Sequence, residues 1–211
     1  MLRTLNCPVA KINAVHTGEK EAKRADSDVA KGLESSLLIS KGCRIMLVAN
    51  LWIQAGLVNG SMGIVQNILF EKEGPPALPT AVFIKFENYN RPTITTIEGE
   101  EVVPITSIRR SWEGKNGTTC SRLQIPIGLA WAITVHKSQG LTLKKAKVDI
   151  GKKEFSASLT FVGLSRVRSL SDLCLIPFTF DRIRRIRNCK RLKERKVEEQ
   201  RLRSMIPSII P

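Results

Sequence analysis

A chain of 211 residues with 42% hydrophobic content is long enough for one or two domains with real cores and too apolar for an intrinsically disordered protein. Its formal net charge of +15 favours polyanionic partners, nucleic acid first, over a membrane surface, which wants an amphipathic helix with bulky anchors. No apolar run approaches the roughly 20 residues that cross a bilayer, and MLRTLNCPVAKINAVHTGEK lacks a signal peptide's sustained apolar centre, so the expected setting is intracellular.

In chain order, residues 1–36 hold a short strand around Val9–Val15, followed by GEKEAKRADSDVAKGLESS, which is charged, small and aperiodic and reads as a loop. CRIMLVAN is a near-continuous apolar run and reads as a buried strand. After it, Asn59-Gly60 marks a turn, and Ile64 to Phe70 reads as the next strand. EKEGPPALP breaks the pattern. TAVFIKFE, EEVVPITSIRRSW and CSRLQIPI then read as short strands separated by turn-rich segments, which suggests a small antiparallel barrel over about 65–125.

From Pro126 the period changes. Leu129, Ala132, Ile133 and His136 fall on one helical face, with Pro126 before them and Gly140 after. AKVDIG reads as a strand, SASLTFVGLSRVRS as a second helix capped by Ser156 or Ser158, and LCLIPF as a last strand. Helix, strand, helix, strand predicts an α/β domain on a mainly parallel sheet, built from segments 37–64 and 126–180 with the β region inserted between them. Residues 181–211 form a basic tail with 11 Lys/Arg against 4 Asp/Glu. The five cysteines, Cys7, Cys43, Cys120, Cys174 and Cys189, are widely spaced without a C-x-x-C, which with only two histidines argues against a zinc site.

Two stretches carry chemistry. ITVHKSQGLTL (Ile133–Leu143) gathers hydroxyls, a cation, an imidazole and an amide beside a glycine. Thr134, Lys137 and Ser138 suit phosphate contact and Gln139 suits recognition of a nucleotide. For an isolated HK pair, a packed core His136 and a solvated Lys137 are the favoured explanation. In FVGLSRVRS, Arg166 and Arg168 stand two apart and point in different directions on a helix, so one can face a transferring phosphoryl group, although an ordinary surface position is the commoner fate of a lone arginine.

Taken together and in order, AWAITVHKSQGLTL, VDIG and FVGLSRVRS resemble motifs V and VI of superfamily-one helicases, with the nearest likeness to the Pif-one (petite integration frequency) family, related to RecD-type enzymes. LNCPVAKINAVHTG and LLISKGCRIMLVANLWIQAGLVNGSMGIVQNI match the same family upstream, so the resemblance spans nearly all of residues 1–180. It implies an ATP-dependent DNA helicase that clamps ATP and Mg2+ between two RecA-like domains and unwinds DNA 5′ to 3′ on single-stranded or forked DNA. Nuclear or mitochondrial residence follows, in settings such as DNA repair, recombination and telomere maintenance. This chain is then an incomplete second RecA-like domain with an inserted β-barrel. Arg166 matches the arginine finger. Gln139, Gly140 and Arg166 match ATP-facing positions, and Thr134, His136, Lys137 and Ser138 match positions along the DNA. Asn50 and the GLVNG turn match a family signature that needs only a structural role. Gly163 replaces the usual alanine. The sequence has no G-x-x-x-x-G-K-S/T, no Asp-Glu pair and no G-D-x-x-Q, so the phosphate cradle, the Mg2+ ligands and the whole missing N-terminal RecA-like domain lie outside it. Two classes of function remain open: part of a motor enzyme, or a non-catalytic nucleic-acid-binding module.

Overall fold

The structure is a computed structural model that describes residues 2–71, 74–93, 95–114, 117–151, 159–176, 179–181, 184 and 190–205. The chain divides into two compact units, residues 1–132 and 133–211.

The first unit is built of antiparallel strands. The expected strand near the N-terminus appears as two pieces, β1 (Ala10–Asn13) and β2 (Val15–Thr17). The segment expected to be a loop contains helix α1 (Glu19–Arg24). Strands β3 (Ser36–Ile39), β4 (Arg44–Leu47), β5 (Met62–Leu69) and β6 (Ala81–Phe86) follow. Next come β7 (Thr95–Ile97), β8 (Glu100–Ile105), β9 (Ile108–Glu113), β10 (Thr119–Gln124) and β11 (Ile127–Leu129).

The apolar runs of the sequence become the core: Ile39, Ile45, Leu47, Val65, Val82, Ile84, Ile125 and Ile127 are fully buried. Six strands form one sheet in the order β11-β4-β5-β6-β8-β7. The barrel expected over 65–125 is not what these strands make. Their sheet is open and shares β4 and β11 with the flanking segments, while β9 and β10 leave it to join β2 in a separate three-stranded sheet. A period-2 pattern specifies which side chains turn inward but not which strand each one pairs with, and pairing decides whether a sheet closes.

Why α1 forms is explained by Arg122, the bulkiest fully buried side chain of the unit, on β10. Its guanidinium donates to the carbonyls of Ala22 (3.1 Å) and Ala25 (2.7 Å) at the end of α1, and to Leu33 O (2.7 Å). A cation at a helix C-terminus meets carbonyls that have no partner in the helix. The Trp112 ring lies 5.8 Å from the guanidinium carbon. Burial lowers the pKa of Arg122, and Glu34 and Asp26 oppose that shift. The small, polar residues of 18–36 thus fold around one buried charge. Beside Arg122 in register, His16 is pushed below its ordinary pKa by burial, then by Arg122 and Lys23.

The helix expected from Leu129 to His136 is absent. Ile127–Leu129 pairs antiparallel with Ile45–Leu47, and Ala130 N–H continues the ladder to Arg44 O at 2.9 Å. The apolar spacing is real, but Leu129 leaves it by joining a sheet together with Ile127, and residues 135–140 make turns. Tertiary pairing overrides a weak local preference here.

In the second unit, β12 (Ala146–Asp149) and β13 (Leu173–Ile176) pair in parallel, with helix α2 (Leu159–Leu164) between them in sequence. Of the expected α/β units on a mainly parallel sheet, one β-α-β unit is described. The proposed caps Ser156 and Ser158 lie outside the described residues. Helix α3 (Lys190–Met205) covers part of the basic tail, and its described side chains are exposed on every face. Arg201–Glu198 and Arg203–Glu199 pairs line it, with the Arg201 hydrogen bonds holding the Glu198 carboxyl below its ordinary range. Among the described residues, no helix is long and apolar enough to cross a membrane.

Candidate functional site

The two stretches singled out in the sequence meet in the second unit. Residues 135–140 fold as consecutive turns. Ser138 N–H donates to Thr134 O (3.1 Å) and Val135 O (3.2 Å), Gln139 N–H to His136 O (3.2 Å), and Leu141 N–H to Ser138 O (3.0 Å). The Ser138 hydroxyl donates to Val135 O at 2.7 Å, and Lys137 N–H reaches Thr134 Oγ1 at 3.4 Å. Gly140 closes the turn at φ +81°, a left-handed conformation, with open space where a Cβ would stand.

This local folding sorts the expected site residues. Thr134, His136, Lys137, Gln139 and Gly140 are exposed, and Ser138 is buried at 5%. His136 is therefore not the packed core histidine that its spacing allowed. A buried Ser138 follows from its role in the turn, where both its amide and its hydroxyl are spent.

Arg166 is not on a helix. It follows α2 in a turn, with its N–H on Gly163 O at 3.3 Å. Its side chain is half-buried and reaches back to the Ile133–Leu143 stretch. Nη1 donates to Ser138 O and Leu141 O, both at 3.3 Å, Nε to Val162 O at 2.8 Å, and Nη2 to Ser165 Oγ at 2.7 Å. Leu143 N–H bonds Arg166 O at 2.8 Å, and Leu143 bridges Val167 in parallel. Arg168 is exposed. Gln139 and Gly140 thus sit between the two carbonyls that Arg166 holds.

Gly163 has a packing reason. A Cβ there would lie 3.0 Å from Val148 Cγ1 on β12, so α2 rests close against the strand. Glycine in a helix interior costs about 1 kcal/mol relative to alanine, and here the close approach uses the missing methyl.

The Asn50 and GLVNG signature is a braced turn in the first unit. Asn50 Oδ1 accepts from Asn59 N–H at 2.8 Å, and Ser61 Oγ bridges Val58 N–H (3.0 Å) and Gly56 O (2.7 Å). The Val58–Ser61 turn is closed by Ser61 N–H on Val58 O at 2.9 Å, with Gly60 at φ +98°. Only the glycine of the Asn-Gly pair uses positive φ.

Sequence reasoning missed Arg122 altogether. Its signal was available: in CSRLQI, Cys120, Arg122 and Gln124 alternate with Ser121 and Leu123, which puts an arginine on the face with the buried thiol.

No protein-family model matches the chain. It is 34% identical over 164 residues to the ATP-dependent DNA helicase PIF1 of Mus musculus, covering 75% of this chain and 22% of that protein. A Trypanosoma brucei brucei relative, the ATP-dependent DNA helicase PIF7, is 30% identical over 208 residues, covering 87% of this chain and 21% of its own length. Among solved structures, a Pif1 helicase from Candida albicans aligns with a TM-score of 0.61 at 27% identity, covering 84% of this chain and 41% of that one. Bacteroides Pif1 bound to single-stranded DNA aligns with a TM-score of 0.58 at 23% identity, covering 81% and 35%. The chain spans about a fifth of the length of the curated relatives it matches. Sequence likeness along most of the chain and the shared fold agree: the chain belongs to the Pif1 helicase family.

Proposed function

We propose that this chain is the second motor half of an ATP-dependent DNA helicase that unwinds DNA 5′ to 3′. The second unit would be the core of an incomplete RecA-like domain, with the strands of 65–125 as an insertion in it, working in the nucleus or the mitochondrion. The observation that carries this reading is the Thr134–Leu143 turn. It brings Gln139 and Gly140 next to Arg166 while keeping Thr134, His136 and Lys137 on the surface.

These residues suit one wall of a nucleotide site. Gln139 offers an amide, Gly140 offers an unobstructed backbone, and Arg166 offers a fixed positive charge with a fork of donors. ATP supplies the phosphoryl chemistry when bound, and Mg2+ would be held by the missing N-terminal RecA-like domain along with the phosphate cradle. On the other side, Thr134, His136 and Lys137 would meet the backbone of a single strand. Ser138 supports that row from beneath. An arginine finger is effective only when the rest of the site exists, so the 211-residue chain by itself is expected to release no phosphate from ATP above background, with or without DNA. Turnover at ordinary helicase rates from contaminant-free protein would sink the division of labour proposed here.

Binding of a labelled oligothymidylate tests the DNA half. Affinity should be weak and should fall with salt, with a log–log slope of about −0.7 per phosphate contact. Lys137→Ala should flatten the slope by about one contact. A second reading, a non-catalytic nucleic-acid-binding module, draws on the exposed α3, which carries seven Lys/Arg against three Glu. Removing residues 181–211 separates the two. If that deletion abolishes binding while Lys137→Ala changes nothing, a cationic arm explains the affinity and the motif V turn does not.

A further inference from the structure

We infer that Arg166 is a latch for the motif V turn, so that a phosphate group drawing its guanidinium away loosens the residues proposed to face DNA. The phosphate and DNA roles rest on the function proposed above; the latch itself rests on hydrogen bonds.

The turn has little of its own to hold it. Thr134, His136, Lys137, Gln139 and Gly140 are exposed, and of Val135–Gly140 only Ser138 is buried. Its internal bonds leave the Leu141 carbonyl open, and that carbonyl and Ser138 O are the two that Nη1 of Arg166 takes, at 3.3 Å each. They bracket Gln139–Gly140. The other end of the side chain is anchored, with Nε on Val162 O and Nη2 on Ser165 Oγ. One guanidinium therefore ties the turn that follows α2 to both sides of the motif V turn, and Leu143 N–H on Arg166 O repeats the tie through the backbone.

All these acceptors are neutral. A phosphate oxygen adds a full opposite charge to its hydrogen bond with the guanidinium, an attraction that a neutral carbonyl or hydroxyl oxygen lacks. A phosphate arriving beside Gln139–Gly140 would compete for Nη1, the nitrogen that holds the turn. Releasing Ser138 O and Leu141 O frees the segment that carries His136 and Lys137. Phosphate state would thus reach the DNA-facing row through a single side chain, with no domain movement required.

Amide hydrogen exchange on the whole chain tests this. Arg166→Met keeps the length and the apolar stem but has no donors. The Ser138, Gln139 and Leu141 amides should exchange on the order of tenfold faster in it, as expected for losing two hydrogen bonds. Arg166→Lys, which keeps the charge and can reach one carbonyl, should fall between. The Ile150 amide, bonded to Ile176 O on the parallel pair, reports on the unit as a whole and should stay unchanged. Millimolar inorganic tripolyphosphate should speed the turn amides of the wild type and leave Arg166→Met unaffected. Equal exchange in wild type and Arg166→Met, or an Ile150 amide that accelerates in step with the turn, would overturn the latch. A wild-type turn indifferent to tripolyphosphate would overturn the release. Neither readout uses DNA, so failure to bind oligothymidylate would count against the proposed function alone.

Discussion

Arg166→Ala, in this chain joined to a compatible first motor domain, should lower DNA-stimulated ATP turnover by about 10³-fold or more, the range in which arginine fingers act. The basis is position and chemistry together. Arg166 carries a permanent charge, lies half-buried beside Gln139–Gly140, and is held by four acceptors that fix where its donors point. Arg168, two residues on, is exposed. Arg168→Ala should therefore cost far less. Steady-state phosphate release at saturating oligothymidylate measures both. Equal losses from the two substitutions would remove the assignment of the finger to Arg166. Because the same side chain braces motif V, Arg166→Ala should also weaken DNA binding, an effect that a residue serving hydrolysis alone would not have.

The largest effect on stability is expected at Arg122. Its guanidinium is fully buried and is the donor to three backbone carbonyls from a segment that otherwise has few apolar residues to anchor it. Arg122→Ala leaves the carbonyls of Ala22, Ala25 and Leu33 without this donor, opens a cavity under Trp112, and strands Asp26 and Glu34 without their nearby cation. Leaving a buried acceptor unpaired costs about 1–3 kcal/mol, and three carbonyls lose this donor at once. The midpoint of urea denaturation should fall accordingly, and residues 18–36 should become sensitive to protease before the six-stranded sheet does. Arg122→Lys should be intermediate, since one ammonium cannot span three carbonyls with the geometry of a planar fork. A midpoint within experimental error of wild type in Arg122→Ala would show that the segment is held by something else.

Much of the site was legible as letters. The order and spacing of AWAITVHKSQGLTL and FVGLSRVRS point to the family without any coordinates, because the likeness lies in the order of residues itself. The strands CRIMLVAN, GIVQNILF, TAVFIKFE, AKVDI and LCLI were equally readable, since each is an apolar or alternating run bounded by turn residues, and burial of such runs is what drives a strand into a core.

What the sequence did not determine is how those pieces pair. The helical spacing of Leu129, Ala132, Ile133 and His136 was overridden because β4 offered an open edge, and a ladder of backbone bonds outweighs a short amphipathic face. The expected barrel opened because closure depends on which strand neighbours which, and β10 pairs with β2 from near the N-terminus on one side and with β9 on the other. Helix α1 exists where composition predicted a loop because its carbonyls meet an arginine about 100 positions away. And Arg166, recognised by its motif, was placed against Ser138 and Leu141 only by the fold, which brings a turn after α2 to the motif V turn. Local chemistry is written in the order of residues. Partners distant in sequence are chosen by the free energy of the whole packed unit, and that choice decided where the charged side chains went.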